Sequence, residues 1–358
     1  MTEHHRARCW KVEDWPAVDR CAWETILASG DILDGDAGGA SHWKPTTIHK
    51  YRRGYGRWLD FLASSERLET TSSPVERISP AHLRAYIAYL EGSCAPFTVY
   101  TRISELLAVI HAMAPTQDWS WLKRAVNRLQ RRAEAEKPAK AVRSSADLLS
   151  WSLDAMAAIQ GRSQTQGRIG LYDATRYRDA FIIGLLSLRP VRLRNLAMIE
   201  LGMHLTQATE GFHLSFESRE TKTGRPISFP LSNCLTGPLN TYLADYRTRL
   251  LDGGSSNHLW ISQYGQPMTE NALYTRIVKV TARTFGQRIN PHRFRDCAAT
   301  TMAIEDPEHV RIVASILGHT TLATAERYYN QAQTMEAGRR YQTGILGLRK
   351  QLARENAP

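Results

Sequence analysis

The chain has 358 residues, 42% of them hydrophobic and 23% charged, a composition typical of globular proteins with about two domains. No apolar run approaches the roughly 18 residues of a membrane span, and the charged N-terminus lacks the apolar core of a signal peptide. The five cysteines are scattered without CxxC spacing. This pattern argues against a disulfide framework or a zinc site and favours a reducing cytoplasm.

The positive charge is confined to the body of the chain. The formal net charge is +11, yet residues 1–40 hold eight acidic and four basic side chains, which leaves +15 for residues 41–358. A basic body predicts a polyanionic partner, most commonly nucleic acid. We therefore separate residues 1–41 as an acidic N-terminal extension with a flexible Gly/Asp/Ala end. We expect this extension to mediate protein contacts or to regulate assembly.

Residues 42–133 have the apolar periodicity of a four-helix domain, with helices from Thr46, from Ser79-Pro80, over 96–113 and over 118–134. Aromatic residues around 43–58 are expected in its core rather than as platforms for stacked bases. The fourth helix is basic, and we favour phosphate contact over a merely solvated face. Its candidate DNA-binding residues are Lys123, Arg124, Arg128, Arg131 and Arg132.

Residues 134–146 form a predicted basic linker, whose Lys137, Lys140 and Arg143 could lie along DNA. The larger domain, 147–358, begins with helices near 146–160, 175–188 and 192–200. Alternating residues then predict strands over 212–216 and 227–231, joined by a polar turn at 219–224. Helical patterns follow. The predicted fold class is mainly α with a small antiparallel β-sheet.

The candidate catalytic residues are those that chemistry on a phosphodiester requires. Arginine can donate two hydrogen bonds to a phosphate, histidine can move protons near neutral pH, a lysine on a strand turn can protonate a leaving oxygen, and a phenol can attack phosphorus. Their positions follow one order along the chain: Arg192, Lys222, His292, Arg295, His319 and Tyr328.

In this order and spacing the sequence resembles the tyrosine recombinases of the phage integrase family over about residues 42–335. The shared motifs are His292-x-x-Arg295, Leu317-Gly318-His319, and Tyr328 nine residues after that histidine. Lys222 stands eight residues before Pro230-Leu231, as the family lysine does. The family's Thr-Gly-Leu-Arg-x-x-Glu-Leu segment is matched by 189–196, where Arg-Pro replaces Thr-Gly and Asn195 replaces the Glu.

The resemblance implies a four-helix core-binding domain and an α+β catalytic domain that clamp duplex DNA. Tyr328 would form a 3′-phosphotyrosine, while Arg192, Arg295 and His319 stabilise the transition state, Lys222 protonates the leaving oxygen and His292 activates or positions the tyrosine. No cofactor or metal is implied. The implied assembly is a homotetramer on two recombination sites of double-stranded DNA, acting through a Holliday junction in the cytoplasm at the nucleoid, with accessory or directionality proteins as further partners.

Several alternatives stay open. Tyr329 could replace Tyr328 as nucleophile, and Arg189 or Arg194 could replace Arg192. Cys297 is expected to be a small buried residue. The 340–358 segment could form a helix that docks on its own domain or on a neighbouring protomer through Ile345, Leu346, Leu348 and Leu352. A telomere resolvase or type IB topoisomerase shares the chemistry, and a DNA-binding protein without catalysis is the rival from another class. The sequence does not separate integrase, transposon recombinase and resolvase.

Overall fold

The computed structural model describes residues 9–30, 37–136, 143–209 and 211–305. The chain divides into two compact units, Met1–Lys140 and Ala141–Pro358, with the division inside the predicted linker. In the described part of the chain, no helix has the length and apolar character needed to cross a membrane. The fold is mainly helical with one small antiparallel sheet, so the predicted fold class is confirmed.

The first unit contains five described helices around an aromatic core. Local signals set several of their ends. Ser79 accepts a hydrogen bond from the His82 N–H at 3.1 Å, and Pro80 occupies the first turn, as predicted. The predicted core role of the aromatic residues is also confirmed, because Tyr55 and Trp58 are buried. The helices are α1 (Ala17–Leu27), α2 (Pro45–Ser64), α3 (Pro80–Glu91), α4 (Pro96–Met113) and α5 (Ser120–Ala135).

Helix α1 corrects the separation of residues 1–41, as an acidic extension, from the helical domain that follows. Trp23 and Ile26 on α1 and Trp15 just before it are buried in the same core as helices α2 to α5. The acidic Asp19 is also fully buried, where it accepts hydrogen bonds from Tyr55 and from Arg77 on other elements. The acidic composition of residues 1–41 was misleading because one of the acidic residues, Asp19, is buried in an ion pair with Arg77. Residues 31–36 of the Gly/Asp/Ala stretch lie outside the described residues.

The second unit combines helices with a three-stranded sheet. Its helices are α6 (Ser145–Gln166), α7 (Leu171–Leu188), α8 (Leu193–Ala197), α9 (Asn233–Thr241), α10 (Arg247–Leu251), α11 (Glu270–Phe285) and α12 (Pro291–Glu305), and a π-helical turn joins α9 to α10. Helix α7 is buried along most of its length and contacts several of the others. Thr269 caps the start of helix α11, and Gly286, whose φ of +67° suits glycine, follows its end.

The sheet has the order β1 (Leu205–Ala208), β2 (Gly211–Phe216) and β3 (Ile227–Pro230), with antiparallel neighbours. Leu205, Leu214 and Phe229 face one another across the strands and are buried. The two predicted strands are therefore confirmed as β2 and β3, while β1 was missed. The β2–β3 connection carries Lys222, so the sheet presents this side chain on a short, well-defined turn.

Candidate functional site

Arg192 lies where helix α7 has ended and the short helix α8 begins. Its backbone is extended (φ −66°, ψ 148°), and its side chain is half-buried. The two alternative arginines have different surroundings. Arg194 is exposed, whereas the Arg189 guanidinium lies 4.2 Å from the centre of the Phe229 ring, and burial lowers the pKa of Arg189. The Arg189 side chain is thus packed against the sheet.

Arg295 connects the His-x-x-Arg helix to the segment that carries Arg192. Asn290 caps α12 by accepting the Arg293 N–H at 3.0 Å, which fixes the start of the helix. One turn later the buried Arg295 donates from Nη1 to the Pro190 carbonyl at 2.9 Å, across 105 residues of sequence. Pro190 stands two residues before Arg192, so the two arginine segments are in direct contact. His292, at the start of the same helix, is exposed.

Lys222 is exposed in the turn between β2 and β3. The turn is closed by side-chain and backbone bonds: Thr221 Oγ1 donates to the Arg225 carbonyl at 2.7 Å, and the Gly224 N–H donates to the Thr221 carbonyl at 3.3 Å. Gly224 has a φ of +68°, a value that side-chain-bearing residues rarely adopt. The position of Lys222 therefore depends on a tight, internally bonded backbone.

Asn195 ties this turn to the start of α8. The Asn195 side chain is almost fully buried, and its Nδ2 donates to the Glu220 carbonyl at 3.2 Å. Sequence comparison with the family motif identified Asn195 only as a departure from the usual Glu. In the structure Asn195 joins the segment of Arg192 to the residue two positions before Lys222. The segments of Arg192, Lys222 and Arg295 are thereby joined by hydrogen bonds.

The remaining predicted catalytic residues, His319 and Tyr328, lie outside the described residues, as do Tyr329 and the 340–358 segment. The prediction for Cys297 is confirmed: this thiol is buried on α12, and burial raises its pKa to about 11. A buried and protonated thiol is a poor nucleophile. Cys297 therefore belongs to the core of the second unit.

The basic side chains of α5 lie opposite its apolar face, which consists of Leu122, Val126 and Ala133. Lys123, Arg124, Arg128, Arg131 and Arg132 are all exposed. These five side chains differ in their contacts. Arg132 forms ion pairs with Glu91 at 2.7 Å and with Glu136 at 2.8 Å. Arg124 donates to Ser120 Oγ at 3.2 Å.

Arg124, Arg128 and Arg131 are spaced four and three residues apart, so they share one line along the helix. This exposed basic line is suited to a row of phosphates. Of the predicted linker residues, Arg143 is exposed with its guanidinium 5.4 Å from the centre of the Phe285 ring, and Lys137 and Lys140 lie outside the described residues.

Comparison with known proteins finds a family to which part of the second unit is similar. Residues 165–335 match the model described as "Phage integrase family". Tyrosine recombinase XerD of Staphylococcus haemolyticus is 26% identical over 159 residues, covering 44% of this chain and 52% of that protein. Tyrosine recombinase XerD of Halalkalibacterium halodurans is 27% identical over 157 residues, covering 40% and 52%. The chain thus matches about half the length of these curated relatives.

A solved structure extends the likeness to the fold. The XerH site-specific recombinase, in a post-cleavage complex with palindromic difH substrate, matches with a TM-score of 0.59 at 18% sequence identity. The match covers 82% of this chain and 79% of that one. At this level of identity the likeness demonstrates a shared fold.

Proposed function

We propose that the chain is a tyrosine recombinase of the phage integrase family, a site-specific recombinase of duplex DNA that serves a mobile element. The family match over residues 165–335 supports this proposal. The single observation that carries the proposal is the Arg295–Pro190 hydrogen bond, because it holds two arginine-bearing segments together across 105 residues. Two guanidinium groups on adjoining segments are suited to the two non-bridging oxygens of one phosphate.

The reaction is a transesterification at the scissile phosphate. The Tyr328 phenolate oxygen attacks phosphorus, the bond to the 5′ oxygen breaks, and a 3′-phosphotyrosine forms. Arg192 and Arg295 stabilise the charge that develops on the non-bridging oxygens of the phosphate, and His319 donates a hydrogen bond to one of them. Lys222 protonates the departing 5′ oxygen, and His292 positions Tyr328 or accepts its proton.

Strand exchange reverses these steps with a different strand. The 5′-hydroxyl of the partner duplex attacks the phosphotyrosine, restores a phosphodiester and releases Tyr328. The covalent intermediate conserves the energy of the phosphodiester, so no ATP is consumed. Two such exchanges, made one strand pair at a time, pass through a Holliday junction and require a homotetramer on two DNA sites. Accessory or directionality proteins would set the outcome, and the enzyme would act at the nucleoid.

DNA affinity in this proposal comes partly from helix α5 of the first unit. The exposed line of Arg124, Arg128 and Arg131 would contact phosphates, with Lys123 beside it and Lys137, Lys140 and Arg143 continuing along the linker. Phosphate contacts of this kind fix register but carry no sequence information. Arg132 would contribute less, because two carboxylates already bind its guanidinium.

The test is covalent capture on DNA. The full chain selects duplexes from a randomised pool, and the selected duplexes are remade with a nick that lets the cleaved end diffuse away. The wild type and Tyr329→Phe are expected to give a protein–DNA adduct, and Tyr328→Phe is expected to give none. Adduct loss only with Tyr329→Phe would move the nucleophile by one residue.

The same experiment distinguishes the rival functions. A wild type that binds the selected duplex and never forms an adduct would contradict the enzyme proposal and favour a DNA-binding protein without catalysis. Relaxation of supercoiled plasmid that lacks the selected sequence would instead favour a topoisomerase. Recombination between two selected sites on one plasmid is the outcome that we expect.

A further inference from the structure

Glu220 lies two residues before Lys222 and accepts three hydrogen bonds, from Asn195, His204 and Glu217. Its backbone carbonyl accepts from Asn195 Nδ2 at 3.2 Å. Its carboxylate Oε1 lies 3.2 Å from His204 Nε2, and its Oε2 accepts the Glu217 N–H at 2.7 Å. Both the backbone and the side chain of this one residue are therefore held in place.

The hydrogen bonds of His204 identify its tautomer. The Glu200 backbone N–H lies 3.1 Å from His204 Nδ1, and since a backbone N–H can only donate, Nδ1 must be the acceptor. The proton of the neutral ring then sits on Nε2 and points at Glu220. His204 is 3% exposed, and its ring lies 5.5 Å from that of Phe216 on β2. This buried imidazole is thus a fixed donor.

The Glu220 carboxylate is kept in its ionised form. The Glu217 N–H and, secondarily, the Nε2–H of His204 hold the pKa of Glu220 below its usual value. An ionised carboxylate accepts both hydrogen bonds at once, and charge-assisted bonds of this kind are among the stronger ones in proteins. The Glu220 carboxylate, which binds the Glu217 N–H and the Nε2–H of His204, therefore holds the start of the turn.

This matters for Lys222 because a general acid must meet the leaving oxygen within hydrogen-bond distance. The lysine side chain is long and rotatable, so the geometry of its backbone determines which oxygen it can reach. A displacement of about 1 Å can reduce the rate of a catalysed step roughly 100-fold. The hydrogen bonds of Glu220 hold the start of the β2–β3 turn, so they oppose such a displacement of Lys222.

We infer that Glu220, held by His204 and Asn195, is a positioning residue that sets the Lys222 turn against the segment of Arg192. The inference rests on the proposed function, since it assigns Lys222 the proton that the leaving 5′ oxygen takes up. Neither His204 nor Glu220 touches the reacting atoms in this account. Their effect is confined to the step in which Lys222 acts.

Replacing the leaving 5′ oxygen by sulfur isolates the step in which Lys222 donates its proton. In a duplex with sulfur in place of the bridging 5′ oxygen, the leaving group is a thiolate whose conjugate acid has a pKa of about 8.5, like that of cysteine, so it departs without a proton donor. Adduct formation is measured on matched oxygen and sulfur duplexes. A general folding defect slows both, whereas a misplaced acid slows only the oxygen duplex.

Two substitutions of His204 give a matched pair. His204→Asn puts an amide oxygen near the position of Nδ1 and removes the donor to Glu220. His204→Gln puts an amide nitrogen near the position of Nε2 and keeps that donor. On the oxygen duplex we expect His204→Asn to be about 10- to 100-fold slower than wild type and His204→Gln to recover most of that loss. On the sulfur duplex both variants are expected to match the wild type.

Glu220→Gln is the second variant, since its amide NH2 replaces one of the two accepting oxygens and faces a donor. We expect Glu220→Gln to be slow on the oxygen duplex only, as His204→Asn is. It replaces His204→Asn as the test if that variant proves unstable. The control is His213→Gln, because His213 on β2 forms a hydrogen bond with Ser228 on β3, and both residues lie outside the turn. This variant is expected to leave the ratio of the two rates at the wild-type value.

Lys222→Ala separates failure of the inference from failure of the proposed function. Lys222→Ala is expected to lose about 10²- to 10⁴-fold on the oxygen duplex and to be restored by sulfur. The positioning role is tested once sulfur has restored the rate of Lys222→Ala. It is overturned if His204→Asn and Glu220→Gln are then equally slow on both duplexes, or slow on neither. If sulfur does not restore Lys222→Ala, the acid role of Lys222 in the proposed function is wrong.

Discussion

The buried ion pair between Asp19 and Arg77 leads to a sharp prediction about the first unit. Arg77 Nη1 lies 2.8 Å from each carboxylate oxygen of Asp19, and both side chains are almost inaccessible to solvent. Arg77→Met leaves the Asp19 carboxylate buried, with the Tyr55 hydroxyl still donating to it at 2.6 Å. Removing one partner of a buried pair costs about 3–5 kcal/mol, because the other charge stays unpaired.

Arg77 also donates from Nε to the Glu69 carbonyl at 2.9 Å and from Nη2 to the Ser72 carbonyl. The substitution therefore loses the ion pair and these two loop contacts together. We expect the upper part of the range, with the free energy of unfolding of the first unit lower by about 4–5 kcal/mol. Asp19→Asn combined with Arg77→Met removes both charges and keeps an acceptor for Tyr55. This double variant is expected to be more stable than Arg77→Met alone.

The assay is urea unfolding followed by tryptophan fluorescence, since seven of the nine tryptophans lie in residues 1–140. Arg132→Met is the matched control, because its ion pairs with Glu91 and Glu136 are solvent-exposed and such pairs contribute little. It is expected to leave the unfolding midpoint unchanged. A loss below about 1 kcal/mol for Arg77→Met, as for an exposed pair, would refute the burial argument and the assignment of α1 to the core.

Three further predictions concern charge and titration. Arg128→Gln is expected to reduce the slope of log affinity against log salt by about 0.9 on duplex DNA, whereas Arg132→Gln changes it less; equal slopes for both would contradict the α5 surface. At pH 8, Cys21 is expected to be alkylated rapidly and Cys297 slowly, because burial raises the pKa of the Cys297 thiol to about 11; mass spectrometry checks this. Burial and the Asp19 carboxylate raise the pKa of Tyr55, so its contribution to stability is complete below about pH 10 and declines at higher pH. Unfolding measured from pH 8 to 11 should show that decline, and a smaller one in Tyr55→Phe.

The sequence predicted the elements whose signals are local. Helix α4 spans the predicted 96–113, and the Ser79-Pro80 start of α3 follows from a cap and a first-turn proline. Strand β1 was missed because Leu205–Ala208 has only four residues and no clear alternation. Helix α1 was missed because the charge of its segment was given more weight than the spacing of Trp23 and Ile26. The partner that neutralises Asp19 lies 58 residues away.

In the candidate site, too, the residues with local sequence signals were predicted and the long-range contacts were not. Motif spacing selected Arg192, Lys222, His292 and Arg295 without any structural information. The contacts that join their segments are between residues far apart in sequence, such as Asn195 with Glu220 and Arg295 with Pro190. No pattern within one segment encodes such a pair. The roles of His204 and Glu220 were accordingly invisible before the fold was known.

The most direct test of the central claim is the chemical identity of the protein–DNA bond. A trapped adduct is digested with trypsin and nuclease, and the linked nucleotide is located by tandem mass spectrometry on the 328–339 peptide, which contains both Tyr328 and Tyr329. We predict a 3′-linked nucleotide on Tyr328. A nucleotide on Tyr329, on another residue, or linked through its 5′ phosphate would contradict the account.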